Sequence, residues 1–355
     1  MDSDDRILKR LILESETLLH ALKIMDETWF RSLIVQNKES RFVGVLSIGD
    51  IQRAIIKNIS LDKSIKEIVR QNPKIGSVNQ SLDDIKEEML RFRMEFMPIV
   101  DDNGILLKVY FWEDLFVEET PPPIKEFHLP VVIMAGGKGL RLKPLTNVLP
   151  KPLIPVGDKT IIEEIFKRFA SHGSKRFYIS VNYKSELIEF YLKNEQLPYE
   201  LNFFKEDQPM GTAGSLSLLK GKLNETFFVS NCDILIDQDY SQILDYHQSN
   251  KNEITIVAAM KHLQIPYGTI ISRENGQLVK LEEKPEISMK INSGMYILEP
   301  HLLNEIPQNT FFHITHLIDK VLKRNGTIGV FPVSEKSWKD IGEWNIYMKN
   351  IMPGK

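Results

Sequence analysis

The first 117 positions carry one hydrophobic pattern twice. Residues 17–25, Thr-Leu-Leu-His-Ala-Leu-Lys-Ile-Met, place Leu18, Leu22 and Met25 on one face of an amphipathic helix. Residues 81–89, Ser-Leu-Asp-Asp-Ile-Lys-Glu-Glu-Met, repeat that face with Leu82, Ile85 and Met89. The apolar run Leu33-Ile34-Val35 returns as Pro98-Ile99-Val100, and residues 43–50, VGVLSIGD, return as residues 107–114, LKVYFWED. The offset is about 64 residues, so the pattern predicts two stacked copies of a small α/β unit, residues 1–60 and 61–120.

Beyond residue 130 the pattern changes. Apolar runs at 131–135, 177–181, 201–204 and 227–229 read as strands. Helical spacing at 160–172, 186–192 and 211–219 lies between them. This alternation predicts an α/β domain over 131–355, with a mainly parallel, doubly wound sheet covered by helices. Ligands of such sheets bind beyond the carboxyl ends of the strands. Residues 118–130, EETPPPIKEFHLP, join acids to three consecutive prolines. That composition stiffens a chain and resists regular structure, so residues 121–130 read as a linker.

Length and composition narrow the class. A chain of 355 residues can bury two cores. A net charge of −3 gives no reason to expect a nucleic-acid partner. One cysteine, Cys232, excludes a disulfide framework and points to a reducing compartment. The acidic start Met1-Asp-Ser-Asp-Asp is unlike a signal sequence, and no apolar run reaches membrane-spanning length. The expectation is a soluble, cytoplasmic protein that does not engage membranes.

The candidate chemistry begins where strand 131–135 ends. Ala135 leads into Gly136, Gly137, Lys138 and Gly139, followed by Arg141, with Lys151 ten residues further on between Pro150 and Pro152. Glycines let backbone N–H groups approach a phosphate chain, and two basic side chains add fixed positive charge. A Walker loop is excluded, because Leu140 and Arg141 follow Gly139 where Lys and Ser/Thr are needed. The dinucleotide fingerprint fails as well, since Leu142 stands at its third glycine.

Gly136, Gly137, Gly139, Arg141, Leu142, Pro144, Leu145, Thr146 and the Pro150-Lys151-Pro152 run together resemble the sugar-1-phosphate nucleotidylyltransferases. The resemblance extends to the end of the chain and leaves residues 1–120 outside it. It implies transfer of a nucleotidyl group from an NTP to a sugar 1-phosphate, releasing pyrophosphate. Ala135 and the glycine loop would hold the nucleotide, Arg141 the leaving pyrophosphate and Lys151 the attacking sugar phosphate. Asp233, after the strand at 227–229, and Asp340, in Trp338-Lys339-Asp340-Ile341-Gly342, would hold Mg²⁺. Residues 206–214, EDQPMGTAG, resemble the base-reading loop, with Gly211 and Thr212 passing close to the base. Glu206 stands where pyrimidine-specific members carry Gln. An ionised carboxylate only accepts hydrogen bonds, which favours the two donors on one edge of guanine. Gln208 could read a pyrimidine in another register.

The sugar end of the family pattern falls on Gly268 after Tyr267, on Glu283 and Lys284 of Glu-Lys-Pro, and on Asn292 of Asn-x-Gly-x-Tyr. The implied pair is GTP with glucosamine 1-phosphate, for surface glycan synthesis. The alternatives are UTP or dTTP with glucose 1-phosphate, mannose 1-phosphate with GTP, and a non-catalytic nucleotide sensor. His313 and His316 lie three apart without the acids or cysteines of a zinc site, and read as solvated or packed side chains.

The duplicated N-terminal unit resembles a pair of CBS domains. Gly44, Ser47 and Asp50 match that family's Gly, Ser/Thr and Asp, the last two of which touch phosphate and ribose in adenosine-binding members. The second copy keeps Asp114 but has Lys108 and Phe111 at the other two places. The resemblance implies either an adenine-nucleotide site or a dimerisation module, and a homodimer or larger homo-oligomer.

Overall fold

Polar residues ahead of the N-terminal helices explain where those helices begin. In the computed structural model, which describes residues 3–70, 73–92, 94–101, 103–116 and 125–342, Thr17 accepts the His20 N–H at 3.1 Å and opens helix Leu18–Thr28. Ser47 and Asp50 cap helix Ile48–Ile56 reciprocally: Asp50 N–H donates to Ser47 Oγ at 3.3 Å, and Ser47 N–H donates to Asp50 Oδ2 at 2.9 Å. The chain divides into two compact units, residues 1–123 and 124–355.

In the first unit, β1 (Leu11–Leu13) runs parallel to β2 (Ser32–Gln36), which pairs antiparallel with β3 (Phe42–Ser47). The second copy repeats the hairpin as β4 (Phe96–Val100) and β5 (Leu106–Phe111). Gly76 forms a parallel bridge to Ile99, as β1 does to β2. The copies share a core in which Ile34 of the first packs with Phe96, Val109 and Phe111 of the second.

The second unit begins before the first strand of its sheet. Phe127 stacks on Phe228 with ring centroids 5.2 Å apart, and its N–H donates to His172 O at 2.7 Å. Residues 125–130 of the expected linker thus lie on this unit, whereas 121–124 fall outside the described residues. The strands are β6 (Val131–Met134), β7 (Pro155–Val156), β8 (Lys159–Thr160), β9 (Arg176–Val181), β10 (Glu200–Lys205), β11 (Phe227–Asn231), β12 (Ile234–Ile236), β13 (Ile254–Gln264), β14 (Thr269–Ser272), β15 (Leu278–Glu282), β16 (Glu286–Leu298), β17 (Ile328–Val333) and β18 (Trp338–Asp340). Seven form the central sheet in the order β10-β9-β6-β11-β16-β13-β17.

The pairs β10/β9, β9/β6, β6/β11 and β13/β17 are parallel. β16 is antiparallel to both neighbours, because it returns alongside β13 after the β14–β15 excursion. The sheet is therefore parallel-rich and mixed. Helix Ile161–Ala170 buries Ile161, Ile162, Ile165, Phe166 and Phe169 and opens on a Thr160/Glu163 capping box. The expected helix at 211–219 shortens to a 3₁₀ segment, Gly214–Leu219. Gly211 adopts φ +80°, and the N–H groups of Ala213 and Gly214 both donate to Phe312 O, at 3.0 and 2.9 Å, rather than to an α-helical ladder.

Candidate active site

Four neighbouring parallel strands, β10, β9, β6 and β11, end on the same edge of the sheet, and each delivers one part of the site. After β6, Ala135 N–H donates to Ser180 O at 3.1 Å, and the glycine loop begins. Gly139 sits at φ +64°, and a Cβ there would stand 2.8 Å from Thr146 Cγ2. Thr146 in turn donates its hydroxyl to Gly139 O at 3.0 Å, closing the loop on itself. Beyond β9, Lys184 Nζ donates to the carbonyls of Asn147 and Val148 at 2.6 and 2.7 Å, which fixes the segment leading to Lys151.

β11 ends at Asn231, and Cys232 and Asp233 follow. Lys151 Nζ forms an ion pair with Asp233 Oδ2 in which both side chains are largely buried. Arg141 lies 3.7 Å from Asp233 Oδ2 and 3.5 Å from Asp340 Oδ2. Asp340 arrives on β18, which pairs antiparallel with β12 so that Ile234 faces Asp340. Arg141 and Lys151 from one stretch of sequence, with the distant Asp233 and Asp340, thus form one charged cluster.

Burial, and then the neighbouring charge of Asp233, hold the Asp340 carboxyl above its ordinary range, against the opposing pull of Gly342 N–H, Arg141 and Lys151. Burial likewise pushes the Cys232 thiol up to about 12, which removes it as a nucleophile.

Gly342 completes the cluster. A Cβ there would stand 2.3 Å from Asp233 Oδ2 and 2.8 Å from both Asp340 Oδ1 and Lys151 Nζ. The cradle between the carboxylates exists only because this residue has no side chain. Two acids converging on such a space form a donor set that fits a divalent cation. A different group, Glu253, His301 and Glu305, is also close enough to share an ion. It is closed by Arg324, whose guanidinium is the main reason Glu253 is held down to about 2.

A cavity of about 330 Å³ opens on the cluster. Arg141, Asp233 and Asp340 line one part of it, Asn292, Tyr296 and Trp338 another, and Thr212 and His313 a third. Asn292 donates to Tyr296 OH at 2.7 Å and accepts Gly294 N–H at 3.1 Å, so its amide orientation is fixed. Glu206 follows β10 and is only 5% exposed. It accepts the Ser180 hydroxyl on Oε1 and Met210 N–H on Oε2, the latter at 3.2 Å. Gly136 passes so close that a Cβ would meet Glu206 Oε1 at 2.9 Å. Gln208 is exposed. Gly268, Glu283 and Lys284 are exposed at the base of the β14–β15 hairpin and do not line the cavity.

In the first unit, Asp50 is 7% exposed. Its carboxylate takes the Ser47 hydroxyl at 2.6 Å, Arg70 Nε at 3.1 Å and an ion pair with Arg53. Burial works against its ionisation, yet Ser47, Arg53 and Arg70 hold it below the usual carboxylate range. Gly44 lies against Val69, whose Cγ2 would stand 2.8 Å from an added Cβ. In the second copy, Asp114 accepts from Arg6 at 2.6 Å, and the Arg6 guanidinium lies 4.3 Å from the centre of the Phe111 ring.

The nucleotidyl transferase family model matches residues 130–353. The chain belongs to the nucleotidyl transferase family. The CBS domain model matches residues 11–57. The chain is 36% identical over 182 residues to the mannose-1-phosphate guanylyltransferase catalytic subunit beta of Dictyostelium discoideum, covering 49% of this chain and 51% of that protein. It is 29% identical over 216 residues to the mannose-1-phosphate guanylyltransferase of Mycobacterium tuberculosis, covering 59% of this chain and 60% of the relative. The match thus spans about half the length of the first of these relatives. Among solved structures, HddC from Yersinia pseudotuberculosis matches with a TM-score of 0.51 and 25% identity, covering 64% of this chain and all of that one.

Motifs single out Arg141, Lys151, Asp233, Asp340 and Asn292, and the structure gathers the first four into one cluster and places Asn292 on the cavity wall. They did not reveal that Gly342 makes room between the carboxylates, although it stands in the same Trp-x-Asp-x-Gly run. Nor did they reveal His313 in the cavity wall, since three-residue spacing alone only suggested a metal pair and found no further ligands. Among the described residues, no helix is long and apolar enough to cross a membrane.

Proposed function

We propose that the second unit transfers a guanylyl group from GTP to mannose 1-phosphate, giving GDP-mannose and pyrophosphate. The observation that carries the reading is the cluster of Arg141, Lys151, Asp233 and Asp340 beyond the carboxyl ends of parallel strands. A sugar phosphate is already an anionic nucleophile, so the reaction needs positioning and charge neutralisation rather than a base. Lys151 would hold the attacking phosphate beside the α-phosphorus. Arg141 and the amides after β6 would take the leaving pyrophosphate. Asp233 and Asp340 would hold Mg²⁺, which would supply charge stabilisation for the phosphates.

The relatives named mannose-1-phosphate guanylyltransferase support mannose 1-phosphate over glucosamine 1-phosphate as the acceptor. Glu206 supports guanine. Each of its carboxylate oxygens already takes one donor and keeps a lone pair, and it lies directly against Gly136 of the nucleotide loop. Asn292 would bind sugar hydroxyls from the cavity wall. Gly268, Glu283 and Lys284 would join it only if the hairpin at whose base they stand folds over the bound sugar.

The first unit would dimerise the chain and take an adenine nucleotide at Gly44, Ser47 and Asp50. A ribose there must displace Arg53 or Arg70 from the Asp50 carboxylate. The test of the catalytic reading is a matrix of GTP, UTP, dTTP and ATP against mannose, glucosamine and glucose 1-phosphates with Mg²⁺, assayed for pyrophosphate. The largest kcat/KM is expected for GTP with mannose 1-phosphate. A UTP or dTTP optimum, or no turnover with any pair, contradicts it.

A further inference from the structure

His313 stands at the first position before helix Ile314–Lys323 and also lines the cavity. Three side chains hold it there: Thr212, Phe311 and His316. Thr212, in the loop after β10, accepts Ile314 N–H on its hydroxyl at 3.0 Å, which ties that loop to the start of the helix. The same hydroxyl lies 3.3 Å from His313 Nδ1. Phe311 packs edge-on against the imidazole, with ring centroids 4.7 Å apart. His316 also bears on it: its Nδ1 accepts the backbone N–H of His313 at 3.2 Å, and its ring packs edge-on against the His313 ring with centroids 5.4 Å apart. His316 does not line the cavity.

With Nδ1 turned to Thr212, Nε2 is the ring nitrogen left for a ligand. The cavity it adjoins also contains Asn292 and Tyr296 on β16 and the charged groups Arg141, Asp233 and Asp340. A sugar 1-phosphate with its phosphate at that charged cluster would spread its ring towards Asn292 and His313. A sugar hydroxyl both donates and accepts, so it pairs with Nε2 in either imidazole tautomer.

We propose that His313 is a specificity-determining residue that hydrogen-bonds a ring hydroxyl of the sugar 1-phosphate through Nε2. The inference rests on the transferase reading above. Thr212 sets the imidazole's orientation from the nucleotide loop, so one hydroxyl links the two halves of the substrate site. His313 selects among sugars by the position of one hydroxyl, whereas the phosphate cluster is indifferent to it.

The test uses the full-length protein with GTP, Mg²⁺ and mannose 1-phosphate or, failing turnover with that sugar, glucosamine 1-phosphate. Wild-type turnover is recorded first, and its absence with both sugars refutes the reading on which the inference rests. Given turnover, His313→Phe keeps the aromatic packing but has no nitrogen, and it is expected to raise KM for the sugar phosphate about three- to tenfold, the net worth of one hydrogen bond. KM for GTP should stay within about twofold on the same scale. His313→Gln, which returns a polar atom near Nε2, should recover most of the loss. The proposal is overturned if His313→Phe leaves the sugar-phosphate KM unchanged, if both KM values rise together, or if His313→Gln is no better than His313→Phe.

Discussion

Gly342→Ala places one methyl group at the centre of the charged cluster. The new Cβ would stand 2.3 Å from Asp233 Oδ2 and 2.8 Å from both Asp340 Oδ1 and Lys151 Nζ, where real Cβ contacts stay beyond 3.0 Å. The Asp233 carboxylate is almost fully buried and paired to Lys151, so it cannot swing into solvent to make room. Both partners must therefore move, by an amount approaching 1 Å for the carboxylate. A misplacement of about 1 Å in a site that works by positioning costs roughly 10² in rate. Overpacking should cost about 1–3 kcal/mol of stability in the second unit. The assay is pyrophosphate release under saturating GTP and sugar phosphate, with denaturant unfolding on the same preparation. A variant that keeps wild-type kcat would show that Asp233, Asp340 and Lys151 do not act as one cluster. A variant that loses kcat only through unfolding would remove the positioning argument.

Asp340→Asn should raise the thermal midpoint at about pH 7 while lowering turnover by about 10² or more. The sign follows from a folded pKa raised above the unfolded one: the ionised carboxylate costs stability once pH rises through the folded value, and nothing well below the unfolded value, so the gain should vanish at about pH 3. A midpoint unchanged at both pH values would refute the burial argument. Glu206→Gln should reduce kcat/KM for GTP by about 1–3 kcal/mol of transition-state binding and leave UTP less affected. Equal losses for all bases would confine Glu206 to holding the loop through Ser180 and Met210. Phe127→Ala should destabilise the second unit by about 3 kcal/mol, measured by urea unfolding, because it empties the space between Phe228 and His172. A cost near zero would return residues 125–130 to linker status.

What the sequence disclosed depended on the range of the forces involved. Helices Leu18–Thr28 and Leu82–Phe92 were legible because their apolar faces are periodic, and the start of the first is marked by Thr17. Strands β6 and β11 were legible as short apolar runs buried on both faces, and β9 as a short apolar run buried mainly on one face. The segment 211–219 misled, because Phe312, a hundred residues away, takes the N–H groups of Ala213 and Gly214. The long antiparallel pair β13/β16 was missed, since much of its outer half is exposed and carries no clear alternation.

The site followed the same division. Arg141, Lys151, Asp233 and Asp340 each stand in a local motif, but Asp340 reaches the other three only through the β12/β18 pairing, which no local pattern announces. Ser47 and Asp50 were recognised as a pair. Their spacing suits a helix cap as well as a ribose site, and the structure shows the cap formed, with Arg53 and Arg70 on the same carboxylate. The burial of Glu206 beneath Gly136 could not be read from a loop rich in polar residues and glycine.

The reverse reaction tests the central claim most directly, because it requires the sugar nucleotide, pyrophosphate and the charged cluster together. The full-length protein is incubated with GDP-mannose, Mg²⁺ and radiolabelled pyrophosphate, and the nucleotides are separated. The account predicts labelled GTP and free mannose 1-phosphate from the wild type, with the rate reduced by about 10²–10³ in Lys151→Ala. No label in GTP from the wild type, or equal labelling by Lys151→Ala, would contradict it.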